Sequence, residues 1–371
     1  PLIMGRFYVN VIRGGESYAF EYDDEWLRKT SMSVNLDPEL MLFGGRQYPL
    51  EKNIFGLFAD ASPDRWGRVL MNKRERLLAE KEKRKPKKLY DSDYLLGVYD
   101  ETRMGGLRFK TALNGTFLSD DKDSAVPPWA NLRTLEARPK ATVVDTKGEL
   151  WIAKFPSKND DNDTGAWEKV VHDLAALCDL RVPEAKLEKF SKLGSTFLIK
   201  RFDREGKKRI HFASAMTLLG KTDGASAADG SSYLDIAAFI KANGARPKED
   251  LVELWKRIVL NMAVSNTDDH LRNHAFLLTN VGWMLSPLYD VNPVPYGDEL
   301  SLNVNENDNR ISTDLAIEVA PRFGIKEPEA AQYITKIMAI VDNNWAKLAG
   351  NYGLSRRQIE EMRPAFSLSI Y

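Results

Sequence analysis

Residues 266–273 read Asn-Thr-Asp-Asp-His-Leu-Arg-Asn, and residues 289–290 read Tyr-Asp. The set is one carboxylate (Asp268), an amide five residues on (Asn273) and a second carboxylate (Asp290) beyond a short apolar stretch. Phosphoryl transfer from ATP uses such a set: Asp268 to orient the attacking hydroxyl, Asn273 and Asp290 to hold Mg²⁺ against the phosphates. Mg²⁺ suits a sparse donor set, because phosphate oxygens and water complete its shell. The Asp-x4-Asn spacing alone is weak, since about one chance match is expected in a chain of this size. Asp268 could equally make local loop hydrogen bonds, and Asn and Asp are common turn formers. The surroundings have to decide.

Lys154 lies in Trp151-Ile152-Ala153-Lys154-Phe155-Pro156. A lysine inside an apolar strand is costly to bury unless it is paired. A kinase-type lysine neutralises ATP phosphates and pairs with a glutamate on the following helix, and Glu168 is placed for that. The alternative is an edge-strand lysine facing water. Asp269, next to Asp268, points elsewhere on an extended loop and is expected to be structural, and His270 to brace the loop. The four histidines show no zinc-ligand spacing. In Lys200-Arg201-Phe202-Asp203-Arg204 the strand-like texture hands over to a helical one. Phe202 there either offers an apolar face to an adenine or covers a core edge.

The elements that must position these residues follow from periodicity. Residues 6–12 and 17–23 alternate around Gly14-Gly15 and predict a hairpin. Residues 64–83 predict a helix starting at Ser62-Pro63-Asp64, and 107–112 a strand. Runs at 141–145 and 149–155 predict a second hairpin, followed by a helix over 166–180 and strands near 186–190 and 196–202. Helices are then expected at 211–219, 233–243, 248–264, 327–348 and 355–363. They are interrupted only by a β pair at 275–279 and 283–285, between Asn273 and Asp290.

With 371 residues, the chain is long enough for two or three packed units. Hydrophobic content of 43% and charged content of 29% are those of an ordinary globular protein. No apolar run is long enough for a membrane span, and Pro1-Leu2-Ile3-Met4-Gly5 is not a signal peptide. Cys178 is the one cysteine, so no internal disulfide forms; a reducing cytoplasm and a buried, inert thiol are expected. Basic and acidic side chains number 53 each, unlike a protein that wraps nucleic acid alone. The run 73–88 still carries nine basic and three acidic residues. It is either a solvated helix end or a patch touching DNA phosphates while a partner reads the bases.

Several segments, in order, resemble the HipA family of bacterial serine/threonine kinases, the toxins of HipBA-type toxin–antitoxin modules. They are FADASPDRWGR (58–68), MGGLRF (104–109), ARPKATV (137–143), WIAKFPSKNDD (151–161), KRFDR (200–204), NTDDHLRN (266–273) and LSPLYDVNP (285–293). The resemblance implies an α+β, protein-kinase-like two-lobed fold with an extra N-terminal β/α subdomain (1–125), a nucleotide-binding N-lobe (126–204) and an all-helical C-lobe (205–371). It implies Asp268 as catalytic residue, Asn273 and Asp290 as Mg²⁺ ligands, and Lys154 with Glu168 at the ATP phosphates. The stretch 200–202, with Lys200 and Phe202, becomes the hinge. It also implies a protein substrate such as an aminoacyl-tRNA synthetase, autophosphorylation, and a HipB-like helix-turn-helix antitoxin through which operator DNA is bound.

The chain departs from the family in one place. A Gly/Ser-rich loop normally precedes the ARPKA-type segment and carries the autophosphorylated serine, yet no glycine occurs between Gly115 and Gly148. Either the loop is absent or a segment is missing from the sequence there, the latter being our reading, so no phosphorylated serine is assigned. Loss of the loop would suit a different function, a catalytically weak nucleotide-binding co-repressor of the antitoxin. Retention of Lys154, Asp268, Asn273 and Asp290 argues for the enzyme.

Overall fold

Strands β1 (Gly5–Ile12) and β2 (Gly15–Tyr22) form because aromatic and branched residues alternate with polar ones on both sides of a tight turn. They pair antiparallel from Gly5↔Tyr22 to Ile12↔Gly15. The turn is Arg13-Gly14, and Gly14 takes φ +86°, a conformation open to glycine at no steric cost. The structure, a computed structural model, describes residues 2–29, 34–119, 140–157, 162–190 and 192–368. The departure before Arg138 and residues 158–161 of the WIAKFPSKNDD segment lie outside the described residues.

Two compact units emerge. The first comprises Pro1–Trp129, Asp203–Thr222 and Asn280–Gly282; the second holds Ala130–Phe202, Asp223–Thr279 and Trp283–Tyr371. After the hairpin come α1 (Asp24–Lys29), β3 (Arg46–Gln47, on the free edge of β2) and α2 (Gly56–Asp60). The aromatic core of the first unit forms around Phe58, whose ring lies 4.7 Å from Phe7 and 5.4 Å from Phe20. Next, α3 (Arg65–Lys81) starts where expected, because Asp64 accepts the Gly67 N–H at 2.8 Å. Past its end the basic run is partly neutralised: Arg84 binds Glu75 and Glu82, and Lys87 binds Asp93. Then comes α4 (Asp91–Gly97).

Residues 107–112 are not the expected strand. Arg108 is instead drawn onto the Asp100 carboxylate and lies over the Phe117 ring, so local ion pairing and stacking set this backbone.

In the second unit, β4 (Lys140–Val144) pairs with β5 (Leu150–Lys154), and β5 with β7 (Thr196–Lys200), while β6 (Ala185–Glu188) closes the edge. All neighbours are antiparallel, in the order β4-β5-β7-β6. Alternation sends Trp151 and Ala153 of β5 into a core with Ala141, Val143 and Leu198. Helix α5 (Thr164–Leu177) buries Val170, Val171, Leu174 and Ala175. Cys178 caps it and is buried, and burial pushes its thiol up to about 12. Iodoacetamide is therefore expected to leave the native protein unlabelled and to modify one thiol in denaturant. Mass spectrometry checks both, and rapid native labelling would contradict this burial.

The chain then returns to the first unit with a small hairpin, β8 (Arg204–Glu205) and β9 (Lys208–Arg209), followed by β10 (Phe212–Ser214) and α6 (Ala215–Leu218). The helix expected at 211–219 is thus half strand. Asp60 takes the Ser214 N–H at 2.7 Å and its hydroxyl at 2.8 Å, which fixes Ser214 as N-cap and delays the helix. Burial lowers the neighbouring His211 to about 4 from the usual 6.5. The folded state then binds fewer protons than the unfolded one between those values. Stability should fall as pH drops from about 6.5 to about 4, and His211→Gln should flatten that slope in denaturant titrations.

The rest of the second unit is α7 (Tyr233–Asn243), α8 (Pro247–Ala263), β11 (Ala275–Thr279), β12 (Gly282–Leu285) apart from its first residue, α9 (Thr313–Val319), α10 (Glu327–Asn351) and α11 (Arg356–Met362). This region is helical but not all-helical, because the β pair expected at these residues is formed. Among the described residues no helix is long and apolar enough to cross a membrane.

Candidate active site

Lys154 ends β5, on the face opposite Trp151 and Ala153 in the pleat. Its ammonium sits 2.7 Å from Glu168 Oε1 and 2.5 Å from Asp290 Oδ1. Glu168 is delivered by the second turn of α5. That helix is pinned at its start by Asp163, which accepts N–H groups from Ala166 and Ser195 and the Ser195 hydroxyl. The approach is close enough that a Cβ on Gly165 would lie 2.5 Å from the Ser195 carbonyl oxygen.

Electrostatics separate the two carboxylates. Burial works to lower Lys154, but Glu168 and Asp290 outweigh it and hold the ammonium above its usual range. Lys154 in turn, working against burial, holds Asp290 down at about 2. Glu168 goes the other way: burial raises it, and Lys154 only partly compensates. Asp290 is therefore the dependable anion of the pair, as a cation ligand must be. Lys140, directly opposite Lys154 in the β4–β5 register, adds positive charge felt by both carboxylates.

The loop bearing Asp268 leaves α8 through Ser265, at φ +46°. Beneath it is a buried network centred on Asp269. Its Oδ2 accepts from the Tyr233 hydroxyl (2.7 Å) and the Asn261 amide (2.6 Å), and lies 2.8 Å from His274 Nε2. Burial favours a raised Asp269, yet His274 and Tyr233 hold it below the usual carboxylate range. Asn261 also accepts from the Asn266 side chain at 3.0 Å. Because Asp269 is anchored inward, the adjacent Asp268 side chain is left exposed.

Asn273 closes the arrangement. Its amide nitrogen donates to the Asp268 carbonyl at 3.0 Å and approaches the Asp290 carbonyl at 3.5 Å. With the nitrogen spent on the two loops, the amide oxygen is the atom left to meet a cation. His270 contributes main chain, donating to the Asp268 carbonyl and accepting from the Asn273 N–H.

The segment carrying Asp290 is held by the buried charges Arg257, Glu253 and Asp250 and by the half-buried Arg181. Arg257 donates to the Ser286 carbonyl (2.6 Å) and to Glu253 (2.8 Å), and Arg181 donates to Asp250 (2.6 Å) and the Leu285 carbonyl (3.1 Å). Asp250 also accepts the Leu285 N–H. Asp290 itself takes φ +59°, which Asp tolerates better than most residues. The preceding Tyr289 donates to the Arg272 carbonyl at 2.7 Å, and its ring lies 5.5 Å from Phe202.

The structure thus brings together Lys154, Glu168, Asn273, Asp290 and the main chain of Asp268, with Phe202 joined through Tyr289. It does not bring in the Lys200 ammonium. Lys200 pairs with Trp151, at the other end of the β5–β7 register from Lys154, and its ammonium is held by Glu149 at 2.6 Å. Sequence reasoning missed Lys140, Tyr233, Asn261, His274 and the charged set Arg181, Asp250, Glu253 and Arg257. A signal existed for the last three: charges at helical spacing on the apolar side of α8.

The donor set fits a magnesium nucleotide. Among the described residues no group of three His, Cys, Asp or Glu side chains could hold a metal. One carboxylate and one amide oxygen, beside a lysine for phosphate, suit an ion that keeps phosphate and water ligands. The group would be held by Asp290 and Asn273, with Lys154 at the phosphates.

Residues 136–345 match the family described as HipA-like C-terminal domain. Among solved structures, a chain of the Shewanella oneidensis MR-1 complex of HipA, HipB and operator DNA is similar over 99% of this chain and 93% of its own, with TM-score 0.65 and 14% identity. The Helicobacter pylori proinflammatory kinase CtkA is similar over 65% of this chain and 98% of its own, with TM-score 0.42 and 16% identity. No curated protein sequence matches the chain. The likeness to the Shewanella structure establishes a kinase-like α+β fold.

Proposed function

Because the chain belongs to the HipA family, we propose that it is an ATP- and Mg²⁺-dependent protein serine/threonine kinase, the toxin of a toxin–antitoxin module. The observation that carries this reading is Lys154 held between Glu168 and Asp290, with Asn273 tying the Asp290 segment to that of Asp268. A degenerate site has no reason to keep this costly pairing of one lysine with two carboxylates.

In this reading ATP, bound with Mg²⁺, supplies the phosphoryl group. Lys154 holds its phosphates, with Glu168 fixing the lysine. Asp290 and Asn273 hold the metal, Phe202 covers the base, and Lys200 lends only its position beside the hinge. Asp268 would orient the acceptor hydroxyl and take its proton as the new P–O bond forms and the bond from the terminal phosphorus to the departing ADP breaks. Residues 1–125, 126–204 and 205–371 would serve as N-terminal subdomain, nucleotide lobe and helical lobe.

The substrate we propose is a translation component such as an aminoacyl-tRNA synthetase, together with the protein itself. A HipB-like helix-turn-helix antitoxin is the proposed partner, supported by the Shewanella complex of HipA with HipB and operator DNA. The test is incubation with γ-labelled ATP and Mg²⁺, using wild type and Asp268→Ala and a cell lysate as acceptor. Label on a lysate protein from the wild type only is expected. Nucleotide binding with no label in either would favour the co-repressor.

A further inference from the structure

Six non-glycine residues among those described take a left-handed backbone, and three of them, Ser265, Asp290 and Tyr296, lie in the segments around the candidate site. Such strain collects at functional positions, where the surrounding structure enforces it. Ser265 turns the chain out of α8, and Asp290 faces Lys154. Tyr296 has no comparable internal role. It sits at φ +63° with 82% of its surface exposed, and makes no hydrogen bond or ring contact among the described residues. A strained aromatic facing solvent is poorly explained by folding alone.

The loop that holds it is built against the Asp268 loop. Val294 N–H donates to the Ser265 carbonyl at 3.2 Å, and the Ser301 hydroxyl donates to the Thr267 carbonyl at 2.6 Å. Gly297 rests on Thr267 so closely that any Cβ would collide with its methyl group. Thr267 precedes Asp268, so these contacts tie the position of Tyr296 to that of the proposed base. Just past Tyr296, Asp298 and Glu299 are exposed. Arg310, across from Glu299, is drawn to Asp308 and does not cancel both carboxylates.

We propose that Tyr296 is an acceptor-docking residue, recognising a basic side chain, arginine above all, in the protein segment that presents the hydroxyl. A guanidinium is the group that both stacks on an aromatic face and pairs with neighbouring carboxylates, and the same carboxylates repel an acidic segment. This inference rests on the kinase reading and names the substrate class for that same site.

The experiment uses the full chain and a serine-centred peptide array in which one arginine is walked through the flanking positions, with alanine controls. Wild type should prefer arginine at one position. Tyr296→Ala should raise KM for that peptide about tenfold, leaving kcat and calorimetric MgATP affinity unchanged, and Tyr296→Phe should retain the preference. Tyr296→Gly should show the same KM loss and a higher melting temperature, because glycine relieves the φ strain. A KM unmoved by Tyr296→Ala, or an equal loss on the alanine control, would overturn the docking role alone. No transfer by wild type to any peptide or lysate protein would overturn the kinase reading and this inference with it.

Discussion

Asp268→Ala is expected to slow phosphoryl transfer by about 10²–10⁴-fold, the usual worth of a positioned acid–base group, while nucleotide binding stays intact. The separation follows from geometry. The Asp268 side chain is exposed and makes no hydrogen bond or ion pair with Lys154 or Asp290, whereas its carbonyl carries the bonds from His270 and Asn273 that hold the loop. Replacing the side chain spares those bonds. Asp290→Asn should behave differently. Asparagine also tolerates the left-handed backbone at φ +59°, so the fold should survive. The anion that offsets Lys154 and that would hold Mg²⁺ in the proposed kinase is lost, so Mg²⁺-dependent nucleotide affinity should fall together with transfer. Calorimetry with and without Mg²⁺, run beside the transfer assay, distinguishes the two. Undiminished transfer in both variants would sink the assignment of the site.

Arg257→Ala is expected to destabilise the second unit by about 3–5 kcal/mol, the cost of stranding one member of a buried ion pair. Arg257 is fully buried, and its guanidinium joins Glu253 to the Ser286 carbonyl. Without it Glu253 loses its nearest cation, and the Ser286 carbonyl loses its donor. The double variant Arg257→Met, Glu253→Leu should recover much of the loss, since an apolar pair of similar volume needs no partner. Urea titration would read both effects. The single variant should also transfer phosphate more slowly, because Ser286 lies four residues before Asp290 on the segment that Arg257 holds. A drop under about 1 kcal/mol, the level of an exposed pair, would mean that Arg257 does not anchor this segment.

Much of the fold was legible because it is written in local patterns. The hairpin at β1–β2, the hairpin carrying Lys154, the long helices and the short β pair between Asn273 and Asp290 each follow from periodicity and turn residues. The misses are places where a tertiary contact overrode local preference. Asp60, far away in sequence, capped Ser214 and cut short an expected helix, and Asp100 drew Arg108 out of an expected strand.

The candidate site divides in the same way. Residue type and spacing singled out Lys154, Glu168, Asp268, Asn273 and Asp290, because carboxylates, an amide and a strand lysine are few and their order is a one-dimensional property. Spacing could not show that Lys154 is shared between two carboxylates, one raised and one lowered. Nor could it show that Asn273 spends its nitrogen on two carbonyls, or that Lys200 spends its charge on Glu149. Those outcomes depend on distances between residues up to 136 positions apart and on burial, which sets how strongly each charge feels its neighbour. The sequence by itself determined which chemical groups are present and in what order. The packing of β5, α5 and the segment after β12 decided which of them meet, and with what charge.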